Sequence, residues 1–226
     1  MIPKNTMYSF LEWRALAEAG AFAISFPQLV SSTPDGDGRP VIVMPGFMCG
    51  PESTYILRIT LEHKGYTVYD WGLGRNLGPN STLDKSMVDL IHRVCGVHGE
   101  KVSLVGHSLG GLYSRIMANR FPDEVRQVIT MGSPFCLKQD ISEIKAIFKK
   151  VIGNTVIDIH PSDIEQMRET PQMPSTSIYT KTDGVVCWQA CVDKSATECL
   201  EVSGSHCGLP HNRSAIKHIL ERLPTP

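Results

Sequence analysis

From residue 39 onward, short continuous apolar runs alternate with segments whose apolar residues recur every three or four positions. The run RPVIVM (39–44) predicts a buried strand, because a strand covered on both faces has no polar side to alternate with. ESTYILRITLEHKG (52–65) has helical spacing and predicts a helix that stops at Gly65. The rhythm continues as strand YTVYDW (66–71), helix TLDKSMVDLIHRVCGVHG (82–99), strand KVSLVG (101–106), helix GLYSRIMANRF (111–121) and strand VRQVITMG (125–132). STSIYTK (175–181) and CLEVSG (199–204) read as two further strands, and RSAIKHILERL (213–223) as a closing helix. Such alternation implies an α/β fold: about six strands in a mostly parallel sheet, flanked by helices on both faces.

Two stretches depart from the rhythm. Residues 8–24 read as an amphipathic helix, since Glu12, Arg14 and Glu18 interrupt the apolar stretch that a signal peptide would keep whole. It is followed by the polar connector SSTPDGDG (31–38), so residues 1–38 form an N-terminal helix and connector and 39–226 the α/β domain. Residues 134–174 are an insertion in the pattern. Their centre, DISEIKAIFKKVIG, puts Ile141, Ile144, Ile147, Phe148, Val151 and Ile152 on one helical face, which either packs on the sheet or covers a site as a lid.

Composition acts mainly by exclusion. A chain of 226 residues, 42% hydrophobic, suffices for one packed domain, and a net charge of −1 offers no basic face to nucleic acid. No apolar run approaches the roughly 20 residues that a spanning helix needs. Seven scattered cysteines, an odd count, point to a reducing, cytoplasmic compartment. Those at 187, 191, 199 and 207 lack the close pairing of a zinc site, and a single Cys191–Cys199 bridge stays open should the protein be exported.

The chemistry gathers at Gly106-His107-Ser108-Leu109-Gly110, which fits G-x-S-x-G with a strand before it and a helix after it. A sharp strand-to-helix turn crowds the positions two residues either side of the serine, so glycines are needed there and the hydroxyl is pushed into the open. A serine hydroxyl needs a base, and the base an orienting acid, in the chain order Ser, Asp/Glu, His. Asp183 begins the loop after the fifth strand and His206 the loop after the sixth, so they are the best-placed acid and base. Asp158 and Asp163 precede the strand that should deliver the acid; His211 reads as a neighbour of the last helix and His107 as a packing residue beneath the site. Backbone N–H groups of Leu109, after the serine, and Phe47, in the turn Pro45-Gly46 after the first strand, would face a developing oxyanion. The apolar residues Met48, Phe135, Trp188 and Leu209 lie near these segments and are candidate substrate contacts.

Taken together, VIVMPGF, LVGHSLGG, MGSPF, KTDGVVCW and GSHCGL resemble the α/β-hydrolase superfamily, specifically its small lipase and esterase-like members, over roughly residues 39–223. The resemblance implies Ser108 as nucleophile, Asp183 as acid, His206 as base and Phe47 and Leu109 as oxyanion donors. It implies hydrolysis of a small-molecule or lipid-like carboxylic ester through an acyl-enzyme, with no metal or organic cofactor. The chain departs from the family in having Pro45-Gly46 where many lipases carry His-Gly, and about six strands where the full sheet has eight, hence a minimal α/β-hydrolase fold. The N-terminal helix is outside the common core and is expected to cover the site or to support a homodimer. Two other readings stand beside hydrolysis: an acyltransferase using the same three residues, and a non-catalytic member that only binds a ligand.

Overall fold

Among the described residues six strands pair in one parallel sheet: β1 (Pro40–Met44), β2 (Thr67–Asp70), β3 (Val102–His107), β4 (Val125–Met131), β5 (Ser175–Tyr179) and β6 (Glu198–Glu201), in the order β2-β1-β3-β4-β5-β6. The computed structural model describes residues 11–136, 161–192 and 198–224. The amphipathic stretch 141–152, and with it most of the lid expected over 134–174, lies outside the described residues, as does Asp158.

The sheet separates two apolar clusters, and the alternation of side chains along each strand explains how. Ile42, Met44 and Leu104 face α3 (Ser81–His98) and α4 (Leu109–Arg120), while Val41, Val43, Val105 and Ile129 face α1 (Ala15–Ser32), α2 (Tyr55–His63) and α6 (Arg213–Arg222). Every residue of β1 and β3 is buried, which is why these strands lack polar positions; the edge strands β2 and β6 are partly exposed. Helix α4 is buried along Leu109–Ala118, between the sheet and α5 (Pro161–Arg168). From its centre the fully buried Arg115 donates to the carbonyls of Met167 (2.7 Å) and Glu169 (2.7 Å), capping the end of α5.

The N-terminal helix runs further than its sequence suggests. A short 3-10 turn (Leu11–Arg14) leads into α1, which continues through Pro27 to Ser32, so the expected connector at 31–38 starts later. Proline removes the bond to the carbonyl of Ala23, an exposed position where water can take its place. Phe22, Phe26 and Leu29 share one face and join the cluster that holds Leu57, Leu61 and Ile216. The helix ends where buried Lys64 Nζ donates to the carbonyls of Val30 (3.0 Å) and Thr33 (2.9 Å) and pairs with Asp35 (2.7 Å). Helix α1 is thus packed into the same core as the sheet.

The last two strands are shorter than the apolar pattern predicts. Strand β5 ends at Tyr179 and β6 at Glu201, and the ladder closes with the Val202 N–H bond to the Tyr179 carbonyl (2.8 Å). Beyond it, residues 180–187 and 202–208 are free to turn over the carboxyl edge of the sheet.

Because Leu29 is fully buried, Leu29→Ala should lower the unfolding free energy by about 2–5 kcal/mol. A urea titration would register this as a lower midpoint with an unchanged slope.

Candidate active site

Ser108 stands at the junction of β3 and α4 with φ 52° and ψ −117°, a conformation that costs energy in any residue with a side chain. The surrounding glycines make the turn possible. A Cβ at Gly106 would strike the backbone of Gly110 and Gly111, one at Gly110 the carbonyls of Met44 and Pro45, and one at Gly111 the Ser133 side chain. The turn is also tied to the next strand, since Ser108 N–H donates to the Met131 carbonyl (2.7 Å).

The structure brings Ser108, His206 and Asp183 together. His206 Nδ1 lies 2.6 Å from Asp183 Oδ2, and its Nε2 lies 3.0 Å from Ser108 Oγ. A carboxylate only accepts, so Nδ1 carries the proton and the bare Nε2 accepts from the serine hydroxyl. Asp183 is oriented in turn by its other oxygen, which accepts from the N–H groups of Val185 (2.8 Å) and Val186 (2.6 Å). Both His206 and Asp183 are buried. Burial works against the imidazolium, but the Asp183 carboxylate, by charge and hydrogen bond, outweighs it, and Glu12 adds to it, so His206 lies above its ordinary value of 6.5. A serine so bonded can lose its proton to the imidazole as it attacks an electrophilic carbon, while the carboxylate stabilises the resulting imidazolium.

His107 fits its expected packing role. Its Nε2–H donates to the His206 carbonyl (3.0 Å), the two rings lie 5.0 Å apart, and burial followed by the neighbouring His206 pushes it down to about 3, so it stays neutral. Gly132, at φ 59°, keeps the floor under His206 open, because a Cβ there would approach His206 Nδ1 (3.0 Å) and Leu209 Cδ1 (2.9 Å).

The serine opens into a cavity of about 480 Å³, at the point where the strand order reverses between β1 and β3. The register Met44 to Gly106 sets the turn after β1 beside the serine, and Phe47 and Leu109 both line the cavity. Its walls also include Ile56 from α2, Leu112 from α4, Pro134, Val185, Val186 and, from α1, Ala19. Met48, Phe135, Trp188 and Leu209 do not line it. Met48 points outward at φ 60°, and Phe135 lies beneath the Arg115 guanidinium, 3.9 Å from its ring centre. Trp188 stacks on Tyr179 (5.7 Å), and Leu209 is fully buried in the core. His211 lines the rim and hydrogen-bonds to the Ala15 carbonyl (2.9 Å), while Asp163 pairs with Arg120 (2.5 Å) on α4.

Asn76 escaped the sequence reading. Fully buried, it donates from Nδ2 to the Pro45 carbonyl (2.9 Å), and its backbone bonds Met48 N–H (2.7 Å) and the Cys49 carbonyl (2.9 Å), holding the turn that carries Phe47. Its only sequence signal is an asparagine in a Gly-rich loop. Cys191 and Cys199 are not joined by a disulfide. Among the described residues no group of three His, Cys, Asp or Glu could hold a metal ion, and no helix is long and apolar enough to cross a membrane.

The profile of the family described as alpha/beta hydrolase fold matches residues 85–186. The chain is 28% identical over 134 residues to the lysosomal thioesterase PPT2 homolog of Drosophila melanogaster, covering 57% of this chain and 46% of that protein. It is 28% identical over 167 residues to a triacylglycerol lipase of Pseudarthrobacter phenanthrenivorans, covering 64% and 52%. It therefore spans about half the length of these curated relatives. Among solved structures, a thioesterase domain from the curacin biosynthetic pathway superposes with a TM-score of 0.60 at 13% identity, covering 83% of this chain and 92% of that one.

The crowding at the turn is testable through stability alone. Gly110→Ala should cost about 1–3 kcal/mol or more, because the added methyl meets backbone that cannot rotate away. Gly96, on the open face of α3 where a Cβ meets nothing, should tolerate the same change, and thermal melts of the two variants check both.

Proposed function

We propose that this chain is a member of the α/β-hydrolase superfamily, to which the matching profile over residues 85–186 and the similar fold point, and that within it this is a serine hydrolase of carboxylic esters with an apolar acyl group. One observation carries the reading: the hydrogen-bonded chain Asp183–His206–Ser108 ends in a hydroxyl that opens on an apolar cavity. In this reading Ser108 Oγ attacks the ester carbonyl carbon as His206 Nε2 takes its proton, and Asp183 stabilises the imidazolium. The N–H groups of Leu109 and Phe47 receive the oxyanion, the former helped by the positive end of the α4 dipole. His206 then protonates the departing alcohol, and a water activated by the same imidazole releases the acid from Ser108. Aliphatic walls from Ile56, Leu112, Val185 and Val186 favour a hydrocarbon acyl chain, and a volume of about 480 Å³ lies within the range of small-molecule sites. The lipase among the relatives supports an ester substrate, and the thioesterases extend the reading to thioesters, which the same steps cleave. The odd, scattered set of seven cysteines supports a reducing, cytoplasmic location.

A p-nitrophenyl ester series from acetate to palmitate should be hydrolysed by the intact protein, and Ser108→Ala should lose roughly 10⁴- to 10⁶-fold in kcat. A protein that turns over no ester in the series and takes no label from a fluorophosphonate probe would falsify this reading. Since His206 must be neutral to accept the proton and sits above 6.5, kcat/KM should fall as pH drops through that raised value and level off above it. An acid limb centred well below 6.5 would contradict the assignment of His206 as base.

A further inference from the structure

The loops bearing Asp183 and His206 leave neighbouring strands, and residues 11–18, far away in sequence, join them. Glu12 Oε1 accepts from the N–H groups of Gly184 (2.8 Å) and His206 (3.1 Å), and its Oε2 accepts from Cys207 N–H (2.8 Å). Arg14 Nη2 donates to the carbonyls of Thr182 (2.9 Å) and Gly204 (2.6 Å) and to Thr182 Oγ1 (2.8 Å). One turn later Glu18 accepts from Ser205 N–H (2.9 Å) and its hydroxyl (2.7 Å), and pairs with Arg14 (3.5 Å).

The placement of these bonds bears on the chemistry. Glu12 takes the N–H that follows Asp183, the N–H of His206 itself and the N–H that follows His206. A single carboxylate therefore sets the spacing of the two loops across which the 2.6 Å Asp183–His206 bond must form. Bonds to an ionised acceptor are roughly twice as strong as neutral ones. A surface helix that only packed against the domain would have no need to aim its carboxylates at these amides.

We propose that residues 11–18 form a clamp on the two loops, and that Glu12 is a positioning residue that holds His206 over Ser108 and adds negative charge beside its ring. The inference rests on His206 being the base. The groups around that ring are Asp183 from the β5 loop, Glu12 and, through Ser205, Glu18 from the N-terminal segment, His107 and Ser108 from the turn after β3, and Cys207 and His211 from its own loop and the turn beyond. His107 is neutral, and the Cys207 thiol, pushed up to about 12 by desolvation and then by Glu12, is neutral as well. After Asp183, Glu12 is the charge that raises His206. Replacing it with a neutral group lowers His206.

The test compares the unaltered 226-residue chain with Glu12→Gln, Glu12→Ala and Ser108→Ala in hydrolysis of p-nitrophenyl butyrate across pH, with near-UV circular dichroism and melting as folding controls. In Glu12→Ala, kcat should fall roughly 10- to 100-fold, the scale that an ångström of misplacement costs, with KM little changed. In Glu12→Gln, which keeps the shape, kcat should fall less and the acid limb of kcat/KM should move to lower pH. If Glu12→Ala does not fold, Glu12→Gln carries the test alone. The proposal is overturned if the intact protein is active and Ser108→Ala silent, yet both Glu12 variants keep kcat and the acid limb. It is equally overturned if activity falls only in step with the folded fraction and the limb stays fixed, because Glu12 would then act on stability alone. An inactive intact protein, or an active Ser108→Ala, instead removes the assigned base first, and the inference falls with it.

Discussion

The close approach of helix α4 to the backbone of β1 and β3 is the constraint on which the rest depends. At Gly106, Gly110 and Gly111 there is no room for a Cβ, since main-chain or Ser133 atoms already occupy its place. The closeness bends the chain at Ser108 into a conformation that an unsupported serine would leave. It persists because α4 is buried along most of its length and cannot move away. The same approach brings the N-terminal end of α4, the positive end of its dipole, next to the turn after β1.

A parallel sheet has its own consequence. All six strands point the same way, so the connections after β1, β3, β5 and β6 emerge on one edge, and side chains from four distant parts of the chain can meet there. Reversal of strand order between β1 and β3 sends their following helices to opposite faces, α2 to one and α4 to the other, and the cavity opens in the gap. The premature ends of β5 and β6 belong to this arrangement, because two or three residues freed from the ladder give Asp183 and His206 the reach to meet.

Strand number, strand direction and most helix limits could be read from the sequence because buried strands and amphipathic helices leave different apolar periods. Ser108, Asp183 and His206 were legible for a related reason: backbone crowding dictates the glycines, and the edge of the sheet dictates where the partners of the serine stand. The cavity walls were not. Ile56 and Leu112 look like any core residue of a helix, and Phe135 and Leu209 neighbour the motifs in sequence yet turn into the interior. Proximity along the chain does not say which side of a turn faces the opening. Asn76 and Glu12 were hidden because their partners are backbone groups, and a bond to a peptide N–H or carbonyl leaves no signature at the partner's position. Helix α1 outruns its expected end at residue 24 because burial of Leu29 keeps it going past Pro27.

The bonds from residues 12–18 to the two loops span 168 to 195 positions, close to the whole length of the chain. Contacts of such separation form late, because the intervening loop must close before they yield any stabilisation. Residues 12–18 therefore find their amides only once the distant loops at 182–207 have been brought to them. Completion of the Ser108–His206–Asp183 arrangement is thus tied to the meeting of segments that lie far apart along the chain.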